Sequence, residues 1–561
     1  MIRKNRIAKI LSFAMATSLL LGACGTNNPS PTTDGETTAA QTDGQTSPDE
    51  TEDTNPDETD PSGSEDPGTD EPEEALAAPN YVPDEKVTLT YHGWENDLNF
   101  AILTDYFARS HENIEVVRFD TPIEGDDDLT RLAATGDMPD IISINNLGSA
   151  IKNGWVMDVK PLYDADPIAA EVNYQNIIDS LTHFDSLYAL PTTVYINALM
   201  VNIDLLERNN IPIPEYTWTY SDHEEILKAA TVAGESRGNV DVRWSLDYYP
   251  GTYKNDSVGR MWFNAETGQF QLDQNFIDVV NHFEGLLDAN VSIWEHADRL
   301  GLPWELEEGD PERERQELAR QQFLIDAIGV DDDGWAVNKT ASHAWDGAGM
   351  GWTERDQRYD GFKYDLYPYP MNDDQPYENP RIGVFTDLAA VSSTAENPEA
   401  AYEFLRYISY ETQGWLDRYD GLMNYDREEY IEKYNFSEET IANLPESAEH
   451  LYATQGPHMN ALPASNTNAA RDAWREFHPI GSPDATPGYH YLIDFTEDAY
   501  VDMGRNFPGY DEAKNYVNDQ IWSQVINGDM APGDIAQEVE AEANRIIDTW
   551  QSDIEAAIGA N

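Results

Sequence analysis

Three short runs stand one helix apart: Val87-Thr88-Leu89-Thr90-Tyr91-His92, Ile114-Glu115-Val116-Val117-Arg118-Phe119 and Asp140-Ile141-Ile142-Ser143-Ile144. Their length and β-branched content predict strands. Between them, Leu98 to Ser110 and Asp127 to Thr135 carry apolar residues at helical spacing and predict helices. Repeated strand–helix–strand units imply an α/β fold with a parallel sheet and helices on both faces. Ligands of such sheets bind at the carboxyl ends of the strands. Those ends carry Gly93-Trp94-Glu95 and Asn145-Asn146. Neither matches a phosphate loop or a dinucleotide fingerprint, so nucleotide binding has no support.

Upstream of the first strand the chain is of another kind. Arg3, Lys4, Arg6 and Lys9 precede an apolar run from Ile10 to Leu21, too short to span a bilayer, and the run ends in Leu21-Gly22-Ala23-Cys24. This resembles the bacterial lipobox, whose cysteine is acylated and becomes the new N-terminus. Cys24 is the only cysteine among 561 residues. That count excludes internal disulfides, a cysteine zinc site and an iron–sulfur cluster. The expectation is a lipoprotein signal peptide over 1–23, with lipidation of Cys24 and anchoring to the outer face of the cell membrane. From Gly25 to Pro79 there is no aromatic, Lys or Arg, against 16 Asp and Glu and 8 Pro. Such a segment cannot offset the entropy of ordering, which predicts a disordered acidic tether over 24–80. Fully extended, it reaches on the order of 180 Å.

The whole chain has 34 Lys and Arg against 105 Asp and Glu, a net charge of −71. Without the tether's acids and the leader's bases about −59 remains. No basic stripe for nucleic acid can be built from that balance, and attraction to an anionic membrane is equally excluded. Solubility, or adaptation to salt, accounts for the acidity. The 40% hydrophobic and 11% aromatic content still fills a core.

Beyond the strands, a set of motifs falls in order. Gly136-Asp137-Met138-Pro139-Asp140-Ile141-Ile142 is followed by Gly154-Trp155-Val156-Met157-Asp158-Val159, Phe184-Asp185-Ser186-Leu187-Tyr188-Ala189-Leu190-Pro191, Val201-Asn202-Ile203-Asp204-Leu205-Leu206 and Tyr216-Thr217-Trp218-Thr219. Asn397-Pro398-Glu399-Ala400-Ala401-Tyr402-Glu403-Phe404-Leu405 and Gly528-Asp529-Met530-Ala531-Pro532 complete the series. Together they resemble bacterial extracellular solute-binding proteins of family 1, the carbohydrate-capturing subunits of ABC importers. Ser186 departs from the family's usual glycine, and the stretch from Asp333 to Pro370 is longer than usual. The motifs also make local sense. Asn397 suits an N-cap and Pro398 the first helical position. Ala401, Phe404, Leu405 and Ile408 then share one face, as do Ile535, Val539, Ile546 and Trp550 in the closing helix. Leu190-Pro191 enforces an extended backbone.

The resemblance implies a periplasmic-binding-protein-like fold, two α/β lobes joined by a hinge with the ligand cleft between them. Lobe one is expected at about 81–193 and 355–395, and lobe two at about 194–354 and 396–561. A sugar offers apolar C–H faces to aromatic rings and hydroxyls to carboxylates and amides. Candidate ligand residues are therefore Trp94, Glu95, Asn145 and Asn146 at the strand ends, and Tyr195 after the crossing. Trp335 follows Asp331-Asp332-Asp333-Gly334, where the family often places a stacking aromatic; Trp244 and Trp345 complete the set. Trp335 and Trp94 are expected to clamp one ligand from opposite lobes.

Competing chemistry finds little footing. The triplets Asp126-Asp127-Asp128 and Asp331-Asp332-Asp333 lack the alternating spacing of a calcium loop, and so many acids make triplets by composition. No zinc-binding histidine pair, serine elbow or cysteine nucleophile is present. The expectation is a monomeric, non-enzymatic receptor without cofactor or metal. It takes a neutral oligosaccharide, because the acidic field disfavours an anionic one, and hands it to an ABC transporter permease. A surface glycoside hydrolase or lyase is the alternative, since a carboxylate pair cannot be read from an acidic sequence; a structural adhesin is a third.

Overall fold

The computed structural model describes residues 81–252, 257–302, 313–331, 334–335, 337–345, 362–373, 379–434, 436–446, 461–477 and 487–560. All lie in the unit from Glu73 to Asn561. The expected leader, Cys24 and the expected acidic tether lie outside the described residues.

The expected strands and helices open the fold in order: β1 Val87–His92, α1 Asp97–Ser110, β2 Ile114–Arg118, α2 Asp126–Thr135, β3 Ile141–Ile144 and α3 Leu147–Lys152. β1 pairs in parallel with β2 on one side and β3 on the other. Two motif residues hold this unit together. Gly136 caps α2 at φ +75°, in the left-handed region that glycine enters without strain. Asp140 Oδ2 accepts from both the main-chain N–H and the hydroxyl of Thr90, each at 2.8 Å, and so fastens the entry of β3 to β1.

Next come the hairpin strands β4 Thr182–His183 and β5 Ser186–Leu187, then the long β6 Leu190–Asn202. The hairpin turn places Phe184 at φ 53° and Asp185 at φ 61°. Positive φ at both central residues is what a type I′ hairpin turn requires. Ser186 itself starts β5, outside the turn, so its departure from glycine carries no strain there. The remaining strands are β7 Arg237–Asn239, β8 Phe263–Asn264, β9 Gln269–Phe270, β10 Thr340–Trp345, β11 Tyr364–Tyr367, β12 Gly383–Val391 and β13 Tyr500–Val501.

β6 is buried along all 13 of its residues and joins two groups of strands. Leu190 to Asn197 pair antiparallel with β12, which pairs antiparallel with β3, giving the order β2-β1-β3-β12-β6. Ala198 to Asn202 pair instead with β10 and β11, and β10 leads in parallel to β7. The sheet is thus mixed, with its parallel part confined to the β2-β1-β3 end and the β10–β7 and β12–β13 pairs among the described strands.

Two expected boundaries change. The helix Pro398–Ile408, assigned above to lobe two, lies against β1 and α1: the Phe404 ring meets Tyr91 at 5.3 Å and Phe107 at 5.1 Å, edge-on. The next helix, Thr412–Met423, joins α1 through the Tyr106 hydroxyl, which donates to Asp420 at 2.6 Å. An apolar face predicts burial but does not name its partner, and here the partner is the first strand group. Conversely β11, assigned to lobe one, pairs with the far end of β6. Asn397 occupies the N-cap position, yet its side chain makes no capping hydrogen bond. Ala401, Phe404, Leu405 and Ile408 are all buried, as are Ile535, Val539 and Ile546 of the closing helix, with Trp550 half-buried against it. Among the described residues no helix is long and apolar enough to cross a membrane.

Candidate functional site

At the carboxyl ends of β1 and β3 the surface dips between the chain after β1, the start of α2 and the start of α3. Trp94, Ile123, Gly125, Asp126, Leu129, Ser143, Ile144, Asn145 and Asn146 line this shallow depression, which encloses about 20 Å³. Ile123, Leu129 and Ile144 are buried and make an apolar floor, with Ser143 beside them. Trp94, half-buried, forms one wall; Asn145 and Asp126 are exposed at the rim.

Local structure explains how each group is held. Trp94 follows Gly93, where a Cβ would lie 2.2 Å from both the Tyr91 ring and Glu95 Oε2, so a larger residue would have to displace those two side chains. The Trp94 ring meets His92 edge-on at 6.2 Å, and its Nε1 is buried with no hydrogen-bond partner among the described residues. A buried donor left unmatched is costly unless something else supplies an acceptor. Asn146 is the N-cap of α3, its Oδ1 accepting from the Ser149 N–H at 2.9 Å. That leaves its amide NH₂ for an acceptor outside the helix. Asp126 is the only charged residue in the lining; no Lys or Arg contributes. Burial, with Arg118 nearby, lowers the pKa of His92 from its ordinary value, so this wall holds a neutral imidazole at neutral pH.

The predicted residues divide sharply. Trp94, Asn145 and Asn146 come together in the depression. Glu95 turns away from it: its carboxylate accepts from the Tyr91 hydroxyl at 2.8 Å, and its main-chain carbonyl accepts from Arg118. Tyr195 sits within the sheet, 2% exposed, stacked on Phe385 at 4.6 Å and donating to Asp387 at 2.9 Å. Asp387 also holds Thr193 and Arg505, so the Tyr195 hydroxyl belongs to a network that locks β6 to β12.

Trp335 is 5% exposed, with Phe362, His343 and Tyr364 around it at centroid distances of 5.3, 5.8 and 6.2 Å. These neighbours correct the expected clamp: Trp335 is interior packing and is not in the depression with Trp94. Trp244 is 53% exposed on the short helix Arg243–Leu246 and lines no part of the depression either. Trp345 ends β10 opposite Ala198, and its side chain lies outside the described part. Sequence reasoning missed Asp126 and Ser143 as lining residues. Position could have found them: Ser143 is in the strand that carries Asn145, and Asp126 opens a helix facing the same strand ends. Among the described residues no group of three His, Cys, Asp or Glu side chains could hold a metal ion.

Residues 97–298 match the family of bacterial extracellular solute-binding proteins. No curated protein matches the chain. Solved structures do. An ABC substrate-binding protein of Listeria monocytogenes in complex with cycloalternan is 16% identical, with a TM-score of 0.53 over 82% of this chain and 99% of that one. The cyclic α-maltosyl-1,6-maltose binding protein of Arthrobacter globiformis is 13% identical, with the same score and the same two coverages. A Rhizobium etli sugar transporter in an open conformation is 15% identical, again with a TM-score of 0.53 over 82% and 99% of the two chains. At such identities the likeness is one of fold. The chain shares the periplasmic-binding-protein-like α/β fold of these proteins, and its residues 97–298 are similar to the bacterial extracellular solute-binding proteins.

Proposed function

We propose that the chain is the carbohydrate-capturing subunit of an ABC importer, tethered through a lipidated Cys24 to the outer face of the cell membrane, and that its ligand is a neutral oligosaccharide. The observation that carries this reading is the depression itself. It joins an aromatic wall with an unmatched indole N–H, an apolar floor, and a rim of two amides and one carboxylate. A pyranose ring has the complementary surface: a C–H face for the indole, and hydroxyls that accept from Trp94 Nε1 and the Asn146 amide or donate to Asp126. The absence of Lys and Arg from this lining favours an uncharged ligand. Two proteins of the same fold bind cycloalternan and cyclic α-maltosyl-1,6-maltose, which points the same way.

The depression offers only one wall of a binding site. Capture then requires the ligand to touch both strand groups that β6 connects, so that the closed arrangement gains contacts the open one lacks. The closed form docks on the permease and delivers the sugar unaltered; the receptor works as a monomer, without chemistry of its own. A thermal-shift screen of the full chain against neutral and acidic oligosaccharides tests this, because a ligand that binds only the folded state raises the melting temperature by mass action. The expected result is a shift with a neutral oligosaccharide and none with a uronate of matched length. Recovery of shortened sugar from the same mixtures would replace the receptor by a hydrolase. For the anchor, Cys24→Ser should move the protein from the detergent phase to the aqueous phase; a variant that still partitions with detergent would refute the lipidation.

A further inference from the structure

With 105 acidic residues to 34 basic ones, buried cations in this chain have carboxylates in plenty. Arg406, fully buried, is gripped by Asp166 and Glu411, each at 2.5 Å. Arg260 lies between Asp247, at 2.7 Å, and Asp502. Arg237 does otherwise. It stands on β7, its main-chain N–H donating to the Lys339 carbonyl at 2.9 Å, and its residue is only 8% exposed. Its Nε is buried without a hydrogen-bond partner, and among the described residues no carboxylate forms an ion pair with it. Burial, with no compensating acid, lowers its pKa from the ordinary arginine value.

The side chain borders an open cavity of about 350 Å³ between β7 and the helices Trp294–Arg299 and Arg313–Ile328. Leu302, Phe323 and Ala327 give it an apolar wall, part of a satellite cluster separate from the main core. His296 also lines it, its Nδ1 buried and unpartnered. Asp326, exposed, brings the lining's one negative charge, with Oδ1 engaged by Gln322 at 2.9 Å. None of the residues of the Trp94 depression contributes.

A buried guanidinium with no counter-charge, beside a second unmatched polar atom and a hydrocarbon wall, has the shape of a half-made complex. We propose that this cavity is a second binding site, for a small organic monocarboxylate with an apolar body. The carboxylate sits on Arg237, with the neutral His296 ring carrying its one proton on Nδ1 as the second donor, and the body packs on Leu302, Phe323 and Ala327. Asp326 disfavours a second negative charge and so selects against dicarboxylates. The site goes beyond sugar capture and would let an organic acid bias the same receptor.

Fluorine NMR on the full chain tests it, with 4-fluorobenzoate as probe and 4-fluorobenzyl alcohol as its uncharged counterpart. The benzoate should bind saturably and at least about tenfold more tightly than the alcohol. Hexanoate should displace it and inorganic sulfate should not. Arg237→Met should weaken benzoate binding by about tenfold or more, while Trp94→Ala leaves it unchanged. Because a core variant can fail to fold, Ala319→Trp is the second test. It fills the cavity from the helix Arg313–Ile328, leaves Arg237 in place, and should also abolish binding. Equal affinity for benzoate and alcohol, displacement by sulfate, or benzoate binding that survives both variants would overturn the proposal.

Discussion

Trp94 and Trp335 look alike in sequence, each following a turn-like segment and each a candidate to stack on a sugar, but the fold uses them in opposite ways. Trp94 stands half-buried at the open end of a parallel strand pair, with its indole N–H unmatched. Trp335 is enclosed by Phe362, Tyr364 and His343. Each has a histidine beside it: His92 meets the Trp94 ring at 6.2 Å, and His343 lies at 5.8 Å from Trp335. The difference shows that the carboxyl end of a parallel strand leaves an aromatic at the surface where a turn in a long connection does not. The end of a parallel strand is kept open by the sheet itself. A connection is free to fold back and bury whatever it carries.

The sharpest way to break this comparison is truncation of Trp335. Trp335→Ala should cost about 3–5 kcal/mol of stability in denaturant unfolding, as removal of a packed indole does. A loss below about 1 kcal/mol would mean the residue is not core. Acid should separate the two regions next. Burial lowers the pKa of His343 from its ordinary 6.5 to about 3, so folding favours the neutral ring. The stability this contributes is complete above pH 6.5 and is lost as pH falls toward 3, at about 1.4 kcal/mol per pH unit. Buried His111, His183 and His282, each lowered to about 4, add slopes of the same sign down to that pH. His343→Gln should therefore flatten the stability–pH curve between pH 6.5 and 4 by one proton's worth. An unchanged slope would show that this ring is protonated, or solvated, in the folded protein.

Much of the fold was legible because its signals are local. β1, α1, β2, α2 and β3 lie within a residue or so of their expected places, since caps, periodicity and the glycine at the end of α2 act over a few residues. What joins them was not. The entry of β12 between β3 and β6 pairs residues about 190 to 250 positions apart, and the helix Pro398–Ile408 chose β1 and α1 as partners through Phe404. The site divides along the same line. That Trp94, Asn145 and Asn146 line one depression could be read because they follow neighbouring strand ends. Glu95 was lost to the Tyr91 hydroxyl four residues back, and Tyr195 to a long-range acceptor, Asp387. Asp126 was hidden by abundance, one acid in a triplet among 105.

Trp94→Ala sharpens the comparison from the other side. It should weaken binding of the oligosaccharide found in the screen by about 2 kcal/mol, roughly 30-fold, while the unliganded protein melts close to wild type. Affinity within twofold of wild type would remove Trp94 from the site. A large loss of apo stability would give it the same role as Trp335 and erase the difference drawn here.

The smallest effect is the most discriminating, because Asn146 has two separable duties. Its Oδ1 caps α3 by accepting from Ser149 N–H, and its amide NH₂ has no hydrogen-bond partner among the described residues. Asn146→Ala removes both and should cost about 1 kcal/mol of stability, the usual worth of such a cap. Asn146→Asp keeps an acceptor at the helix N-terminus, where negative charge is also favourable, so stability should stay within about 0.5 kcal/mol of wild type. The aspartate cannot donate, however, and it brings a second carboxylate to a rim that already holds Asp126. If the amide donates to a sugar hydroxyl, the Asp variant should lose about 1 kcal/mol of binding, roughly fivefold, at undiminished stability. Calorimetric titration beside thermal melting of the two variants reads both quantities. Full affinity in the Asp variant would confine Asn146 to its cap and leave Trp94, Asn145 and Asp126 to hold the ligand on this wall.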